Sequence, residues 1–348
     1  MEQLDLRSLN EEEMIHLAEQ YGEKPFRGKQ LFEWIHKKQV KNLEEMTNLP
    51  KRFLERLSEE YRISGVQIEK KQVSKNSDTS KYLFSLADGN FIESVWMKYH
   101  HGNSVCISSQ VGCRMGCTFC ASTLNGLTRS LTAGEMLSQV YEIQRETGER
   151  VSNVIVMGMG EPLDNYDNLL RFIRLLSSEK GIHISQRNIT VSTCGLVDKI
   201  RKLMEEKLQI TLAISLHAPN DEIRRQTMPV AKKYSMDEIF SACREYIDTT
   251  GRRVTFEYSM IDGVNDRKAH ALELAGRCRG LNCHINLIPL NEVKERKNRR
   301  SGEENIRDFK LVLEKNRINV TIRREMGSDI DAACGQLRKN FMEQTNSD

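Results

Sequence analysis

Three closely spaced cysteines are the residues with the clearest chemical potential in this 348-residue chain. Cys113, Cys117 and Cys120 stand in the run Cys-Arg-Met-Gly-Cys-Thr-Phe-Cys. Three thiolates at this spacing can bind three irons of a [4Fe–4S] cube, so the fourth iron has no protein ligand. An open iron can chelate a small molecule, which a fully ligated electron-transfer cluster cannot do. The motif therefore predicts cofactor chemistry, with Phe119 as an apolar wall beside the cube.

Zinc is the main alternative for these cysteines. Structural zinc sites have four ligands, usually with cysteines in pairs two residues apart, and Cys106 is the nearest candidate for a fourth ligand. The spacing in this chain does not match the common zinc motifs, so we rank zinc well below the cluster. Three unrelated buried cysteines are less expected still.

Composition is typical of an intracellular globular protein. The chain has nine cysteines, 39% hydrophobic and 29% charged residues, and an acidic N-terminus without the apolar segment of a secretory signal. We therefore expect a cytoplasmic protein without a disulfide framework and without a membrane span. The net charge of +3 does not by itself indicate a nucleic-acid-binding protein.

The elements that must position the cysteines change character along the chain. Residues 1–62 predict a helical accessory domain, and residues 63–102 predict a β-hairpin extension around the Asp88-Gly89 turn. Residues 103–338 alternate strand and helix, and residues 339–348 form a tail. The predicted strands are 104–109, 152–157, 188–193, 210–216, 253–259, 283–288 and 318–323. The predicted helices between them are 132–147, 166–178, 196–205, 235–249, 266–278 and 304–315. Such alternation predicts an α/β fold with a parallel sheet, either open or curled into a barrel.

Polar residues recur where successive predicted strands end. Ligands gather at the carboxyl ends of parallel strands, so these residues are candidates for a binding site. Each one taken alone would be read as a turn, a cap or a satisfied core residue. These residues are Glu161 after Gly160, Ser192, Ser215 and His217 on either side of Leu216, and Asn286.

Together these motifs resemble the RlmN/Cfr family of radical S-adenosylmethionine (SAM) methyltransferases. The resemblance runs from about residue 91 to 338 through SSQVGC, GMGEPL, ISLHAPNDEIR, NLIP and IRREMGSDIDAACGQL, and more loosely through PFRGKQLFEWIHKK. It implies a partial (β/α)6 TIM-like radical SAM barrel with a small N-terminal helical domain. It also implies a [4Fe–4S] cluster on Cys113, Cys117 and Cys120, with SAM bound to the open iron. The strand-end residues above would line the SAM pocket.

The resemblance also implies roles for two further cysteines and a glutamate. The family uses two SAM molecules per turnover. The first methylates Cys334, and cleavage of the second at the cluster gives a radical that takes a hydrogen from that methyl group. The resulting carbon radical adds to C2 of an adenine and forms a covalent protein–RNA adduct. Glu93 would then accept the C2 proton, and Cys106 would release the RNA by forming a transient disulfide with Cys334.

Without the resemblance, these residues would have been read differently. Glu93 would be an exposed strand residue. A lone cysteine is most often an inert core residue. We keep that interpretation for the four remaining cysteines, Cys194, Cys243, Cys278 and Cys283.

The implied partners are 23S rRNA, tRNA and an electron donor such as flavodoxin or ferredoxin, and we expect a monomer. The targets would be an adenine near the peptidyl-transferase centre and the purine 3′ to the anticodon. Residues 294–324 contain 11 Lys and Arg against 5 Asp and Glu, which makes this segment a candidate for phosphate contacts. Relatives usually carry Asn-Pro after the NLIP motif, whereas Asn291 is followed here by Glu292, so the RNA contacts of loop 291–302 are not carried over.

Three other functions remain as alternatives. A Cfr-like enzyme would methylate C8 of adenine, but Val111 and Pro162 differ from the Cys and Ala that such enzymes tend to carry. A metal-cluster RNA-binding module without catalysis is more remote. A methylthiotransferase is disfavoured because the chain has no second cysteine triplet.

Overall fold

We describe the fold from a computed structural model, which covers residues 3–100, 102–293, 295–324, 329–330, 336–338 and 341. The N-terminal part contains β1 (Leu4–Asp5), α1 (Glu11–Gln20), α2 (Pro25–Phe32), α3 (Lys51–Glu60) and β2 (Tyr61–Arg62). Asn10 caps α1 through a capping box with Glu13, and Pro25 occupies the first turn of α2. Helix α2 continues into a π-helical segment at Glu33–Lys37. The helices predicted for this region are therefore present.

A ten-stranded sheet organises the rest of the molecule. Its antiparallel part consists of β3 (Gln67–Val73), β4 (Thr79–Ser85) and β5 (Phe91–Met97). Its parallel part contains, in chain order, β6 (Asn103–Ile107), β9 (Val151–Val156), β10 (Ile189–Thr193), β11 (Thr211–Ser215), β12 (Val254–Met260), β13 (Cys283–Pro289) and β14 (Val320–Ile322). The spatial order is β14-β13-β12-β11-β10-β9-β6-β5-β4-β3, so the sheet is open and β6 joins the two parts. This is the predicted α/β fold with a parallel, partial-barrel sheet.

The helices that connect the parallel strands cover one face of the sheet. They are α4 (Ala133–Thr147), α5 (Tyr166–Ser177), α6 (Val197–Glu205), α7 (Asp221–Thr227), α8 (Met236–Thr250), α9 (Lys268–Cys278) and α10 (Glu303–Lys315). Alternate strand residues such as Val154, Val156, Leu212 and Ile214 belong to the main hydrophobic core. The residues between them face the other side of the sheet, because side chains alternate along a strand. That second face is rich in polar residues and forms the interior of the partial barrel.

Two short elements around the cysteine loop were not predicted. A small hairpin of β7 (Gln110–Gly112) and β8 (Leu127–Ser130) encloses the loop that carries the three cysteines. Gly112 closes this hairpin with φ +77°, and a Cβ at that position would lie 2.1 Å from the Gly126 carbonyl oxygen. The seven-residue helix α7 packs against the same loop, since the Thr118 amide donates to the Thr227 carbonyl at 2.9 Å. Within the described residues, no helix is long and apolar enough to cross a membrane.

Candidate functional site

The three cysteines line one cavity at the carboxyl end of the parallel strands. The cavity has a volume of about 230 Å³, and its wall includes Cys113, Cys117, Cys120 and Phe119. No group of three or more His, Cys, Asp or Glu side chains in the described part of the chain is arranged around a single metal ion. An iron–sulfur cube takes one thiolate per iron, so it does not require the three sulfurs to meet at one point.

The surroundings of the cysteines fit an anionic cluster. Burial raises the pKa of the Cys113 thiol to about 12 and raises the pKa of Cys117 and Cys120 as well, so metal binding is needed to hold these groups as thiolates. Two arginines approach the loop: Arg224 acts electrostatically on Cys117, and Arg296 on Cys120. Arg224 is fully buried, and its Nη1 atom has no hydrogen-bond partner among the described residues. A buried cation with an unused donor complements the negative charge of such a cluster.

Arg296 changes our interpretation of the basic loop around residues 294–300. A charge-rich stretch such as this one is usually an exposed loop. Arg296, however, is half-buried, and its Nη2 donates to Thr123 Oγ1 at 2.9 Å and to the Cys120 carbonyl at 3.3 Å. The loop is therefore attached to the cysteine loop through this side chain. Lys294 lies outside the described residues.

Glu161 is fixed at the end of β9. Its Oε2 accepts from the Cys194 amide at 2.7 Å, and its Oε1 accepts from the Leu163 amide at 3.1 Å. Burial raises the pKa of this carboxyl group, while the amide donors oppose the rise. Gly160 precedes it with φ +102°, and a Cβ there would lie 2.5 Å from Gln110 Cβ. Both residues line the cavity, as the sequence predicts.

His217 lines the cavity next to the cysteine loop. Its ring packs edge-on against Phe119 with 4.9 Å between ring centroids, and its Nδ1 accepts from the Ser259 amide at 2.9 Å. Burial lowers the pKa of His217 to about 3, so the ring is neutral at physiological pH. A neutral ring in this position can pack against an apolar or aromatic group of a ligand.

A row of polar side chains crosses four neighbouring strands beside this cavity. Ser215, Glu257, Asn286 and Thr321 stand directly opposite one another in the strand register. Asn286 Nδ2 donates to Glu257 Oε2 at 2.9 Å, and Thr321 Oγ1 donates to Asn286 Oδ1 at 3.3 Å. Ser192 continues the row, with its Oγ 3.1 Å from Ser215 Oγ. The row gives a ligand several hydroxyl, amide and carboxylate groups on one surface.

The predicted pocket residues do not all meet the cavity. Gly160, Glu161, Ser192, Ser215 and His217 line it. Leu216 does not, because its side chain belongs to the main hydrophobic core, while its amide donates to the Glu257 carbonyl at 3.0 Å. Asn286 does not line the cavity either, but its side chain donates to Glu257, which does.

Cys106 and Glu93 lie together on the strands next to this site. Cys106 on β6 pairs with Val95 on β5, two residues from Glu93, so the thiol and the carboxylate share one face of the sheet. Burial raises the pKa of Cys106, whereas the positive charges of Arg323 and Lys81 lower it and the charge of Glu93 raises it. Cys106 is a free thiol, so the structure gives no support for a disulfide at this position.

The expectation of an exposed Glu93 is wrong. Its side chain is 4% exposed, because Lys81 Nζ lies 2.9 Å from its Oε2 and is itself buried. Its Oε1 accepts from the Arg338 amide at 2.6 Å. Arg338 stands four residues after Cys334 in the sequence, so the segment that follows Cys334 contacts Glu93. Cys334 itself lies outside the described residues.

Several residues around the cavity were not predicted from the sequence to be part of the site. Cys194, assigned above to the inert core, packs against Cys117 and Met228 in a small separate cluster. Cys243, Cys278 and Cys283 lie in the main core, as expected. Glu257 and Arg323 also line the cavity. A carboxylate inside the run Val-Thr-Phe-Glu-Tyr-Ser-Met is the one signal that could have indicated Glu257 as a buried strand residue.

Known proteins resemble this chain over nearly its whole length. Residues 4–63 match the model of the ribosomal RNA large subunit methyltransferase N-terminal domain, and residues 107–275 match that of the radical SAM superfamily. A probable dual-specificity RNA methyltransferase RlmN of Lachnoclostridium phytofermentans is 59% identical over 344 residues, which cover 99% of this chain and 97% of the relative. A relative of the same description from Lachnospira eligens is 59% identical over 339 residues, which cover 97% of both chains.

A solved structure agrees with these sequence matches. The crystal structure of a radical SAM methyltransferase from Sphaerobacter thermophilus superposes with a TM-score of 0.91 at 42% identity, over 96% of this chain and 98% of that chain. The chain belongs to the RlmN family of radical SAM RNA methyltransferases. Membership implies a [4Fe–4S] cluster, SAM and an RNA substrate. In this member of the RlmN family, the cavity with its three cysteines and buried arginine is the part of the molecule that fits the two cofactors.

Proposed function

We propose that this protein methylates C2 of adenine in 23S rRNA and in tRNA, using two SAM molecules, a methylated Cys334 and a covalent protein–RNA adduct. The observation that supports this best is the grouping of Glu93, Lys81 and Cys106 beside the chain segment that follows Cys334. Glu93 accepts from the Arg338 amide at 2.6 Å, and Arg338 stands four residues after Cys334. A carboxylate and a thiol are the two groups that the final steps of such a reaction need.

The target atom explains why an ordinary methyl transfer is not enough. C2 of adenine lies between two nitrogens and is electrophilic, so it cannot attack the methyl group of SAM. The cluster and SAM supply, when bound, a 5′-deoxyadenosyl radical by one-electron cleavage of SAM. Cys113, Cys117 and Cys120 would bind the cluster, while Gly160, Glu161, Ser192, Ser215, Leu216, His217 and Asn286 would surround SAM.

Glu93 and Cys106 would complete the reaction after the adduct forms. Glu93 would take the proton from C2, and the unpaired electron that radical addition leaves on the adenine would pass back to the oxidised cluster, so that the adduct becomes closed-shell. The buried position of Glu93 keeps water away from its carboxylate. The Cys106 thiolate would then attack the sulfur of Cys334 and form an S–S bond, and the bond between that sulfur and the new methylene carbon would break. The electron pair of that bond goes to the carbon, which gains a proton and becomes the methyl group. An external dithiol would then reduce the disulfide for the next turnover.

The positive charges beside Cys106 suit this role. Arg323 and Lys81 both favour the thiolate over the thiol, although burial keeps the pKa of Cys106 above its ordinary value. Such a thiol reacts when the adduct places the sulfur of Cys334 next to it, and it resists reaction with other partners while it is buried. This is consistent with a resolving cysteine that acts once per turnover.

The proposal is tested by trapping the adduct. Cys106→Ala should accumulate a covalent protein–RNA species that survives denaturing gels, because the resolving thiol is gone. Cys334→Ala should form none, and Cys243→Ala, in which a core cysteine away from the site is changed, should behave like the wild type. Normal turnover by the Cys106 variant would contradict its resolving role.

The modified nucleoside decides between the adenine positions. Mass spectrometry of digested rRNA and tRNA from a deletion strain, with and without the complementing gene, should show 2-methyladenosine. Appearance of 8-methyladenosine would instead identify a Cfr-like enzyme. A protein that binds RNA but does not cleave SAM after anaerobic reconstitution would identify a non-catalytic binding module.

We also propose a role for each segment of the chain. Residues 1–62 would form an RNA-binding accessory domain, 63–102 an extension, 103–338 the catalytic domain and 339–348 a tail. Flavodoxin or ferredoxin would supply the electron, and the protein would act as a monomer in the cytoplasm. The accessory role predicts that charge-reversing changes in 1–62 weaken RNA binding without changing cluster content.

A further inference from the structure

Arg224 is the most deeply buried cation next to the cysteine loop. It is fully buried, and its hydrogen-bond acceptors in the described structure are all main-chain carbonyls. Its Nη2 donates to the Cys194 carbonyl at 2.5 Å, and its Nε donates to the Leu216 carbonyl at 3.3 Å. Its Nη1 is buried and has no acceptor among the residues that the structure describes.

A guanidinium in this position needs a negative charge nearby. Burial disfavours the charged form of Arg224, and carbonyl groups offset that cost only in part. The thiols of Cys194 and Cys117 and the carboxylate of Asp221 interact with it electrostatically. Cys117 is one of the three predicted cluster ligands, so a cluster on the loop would bring the missing charge.

The element that carries Arg224 is joined to the cysteine loop at two further points. The Thr118 amide donates to the Thr227 carbonyl at the end of α7 at 2.9 Å. A Cβ on Gly116 would lie 3.3 Å from Pro229 Cγ, so the loop packs closely against the residues that follow α7. The distance between Arg224 and the loop is therefore set by a rigid contact rather than by one side chain.

We propose that Arg224 is a positioning residue for the cluster and that its buried charge raises the cluster's reduction potential. The inference rests on the cluster site of the proposed function. Reduction from [4Fe–4S]²⁺ to [4Fe–4S]⁺ takes one electron and adds one negative charge to a group that already carries three thiolates. A buried cation favours the more negative state, because net charge and hydrogen bonding tune such clusters. The electron comes from a donor protein in the cell and from dithionite in the experiment.

The test is the midpoint potential of the reconstituted cluster without SAM. Wild type, Arg224→Gln and Arg224→Lys are compared by spectroelectrochemistry and by the electron paramagnetic resonance signal of the reduced cluster. Arg225→Gln is the matched control, because it removes the same charge from the adjacent, exposed position of α7. At the midpoint potential of the wild type, the ratio of reduced to oxidised cluster should be at least tenfold lower in Arg224→Gln. For a one-electron couple, this corresponds to a reduction potential that is lower by about 59 mV. Arg224→Lys and Arg225→Gln should stay within threefold of the wild type.

Each outcome decides one point. Equal potentials in wild type and Arg224→Gln, at equal iron content, would overturn the inference. If Arg224→Gln fails to fold or to bind iron, Arg224→Lys becomes the test. Because this variant keeps the positive charge, it should bind the full complement of iron and show the reduction potential of the wild type. A folded Arg224→Lys protein that loads poorly or shows the tenfold loss would overturn the inference. Failure of the wild type to bind iron would instead count against the proposed cluster site.

Discussion

The ion pair between Lys81 and Glu93 leads to a sharp prediction about stability. Lys81 and Glu93 side chains are 1% and 4% exposed, with Nζ and Oε2 2.9 Å apart. Lys81→Met removes the cation and leaves the carboxylate in a site from which water is excluded. The Arg338 amide donates to the other oxygen of Glu93 at 2.6 Å.

The size of the effect follows from the cost of an unpaired buried charge. Removing one partner of a buried pair costs about 3–5 kcal/mol, because the other charge is left uncompensated. Glu93→Gln should also be destabilising, since it removes the buried carboxylate that faces the Lys81 ammonium at 2.9 Å. Lys81→Met/Glu93→Gln removes both charges, so its loss should be smaller than the sum of the single losses by at least about 2 kcal/mol.

The assay is urea unfolding of the reduced apoprotein, followed by tryptophan fluorescence, to which Trp96 on the same strand as Glu93 and Trp34 in the N-terminal part both contribute. Lys98→Met is the matched control, because Lys98 makes a 2.6 Å ion pair with Glu149 at an exposed position, with both side chains more than a third exposed. That variant should leave the unfolding midpoint almost unchanged. Additive single and double losses, or a Lys81→Met midpoint equal to that of the control, would refute the reasoning.

Four further predictions concern other parts of the molecule. Burial lowers the pKa of His36 to about 3 from an ordinary 6.5, so the unfolded chain takes up the proton first and stability is lost as pH falls below 6.5. The loss should reach about 2 kcal/mol at pH 5, and His36→Gln should flatten the pH dependence of urea unfolding. Glu161→Gln would place a side-chain NH₂ group against the amide of either Cys194 or Leu163, so one hydrogen bond would be lost. We expect the free energy of unfolding to fall by about 1–3 kcal/mol and equilibrium dialysis to show weaker SAM binding. Gly28→Ala would place a Cβ 2.4 Å from Ile15 Cα and should cost at least about 1–3 kcal/mol in thermal unfolding. Gly276→Ala, with open space around it, should stabilise its helix by up to about 1 kcal/mol.

The parallel part of the fold was predictable because short strands rich in β-branched residues alternate regularly with amphipathic helices. The predicted strands and helices of the barrel differ from the observed ones by no more than two residues at either end. Strand β3 was not predicted, since Gln67–Val73 mixes lysine, glutamate and glutamine with few apolar residues at the sheet edge. The seven-residue α7 was also missed, because its length gives too few turns for a clear apolar period.

The candidate site was predictable only where the sequence pattern carries the chemistry. The cysteine spacing and the polar strand ends indicate the cavity, and Glu161 and His217 both line it. Glu257 and Arg224 were not found, because their importance comes from burial and from neighbours distant in sequence. Leu216 was assigned to the pocket through the family motif, but its side chain turns into the core.

The register of the hairpin determines whether the carboxylate and the thiol can act together. Lys81, Val95 and Cys106 stand directly opposite one another on β4, β5 and β6, and Glu93 is two residues from Val95 on the same face. A slip of one residue would turn Glu93 away from Cys106, since side chains alternate between the faces of a strand. The β4–β5 register is set by the turn around Gly89, where φ is +78° and the Leu86 amide donates to the Asn90 carbonyl at 2.8 Å. The antiparallel extension therefore does more than widen the sheet, because it brings a buried carboxylate and its lysine to the barrel strand that carries the Cys106 thiol.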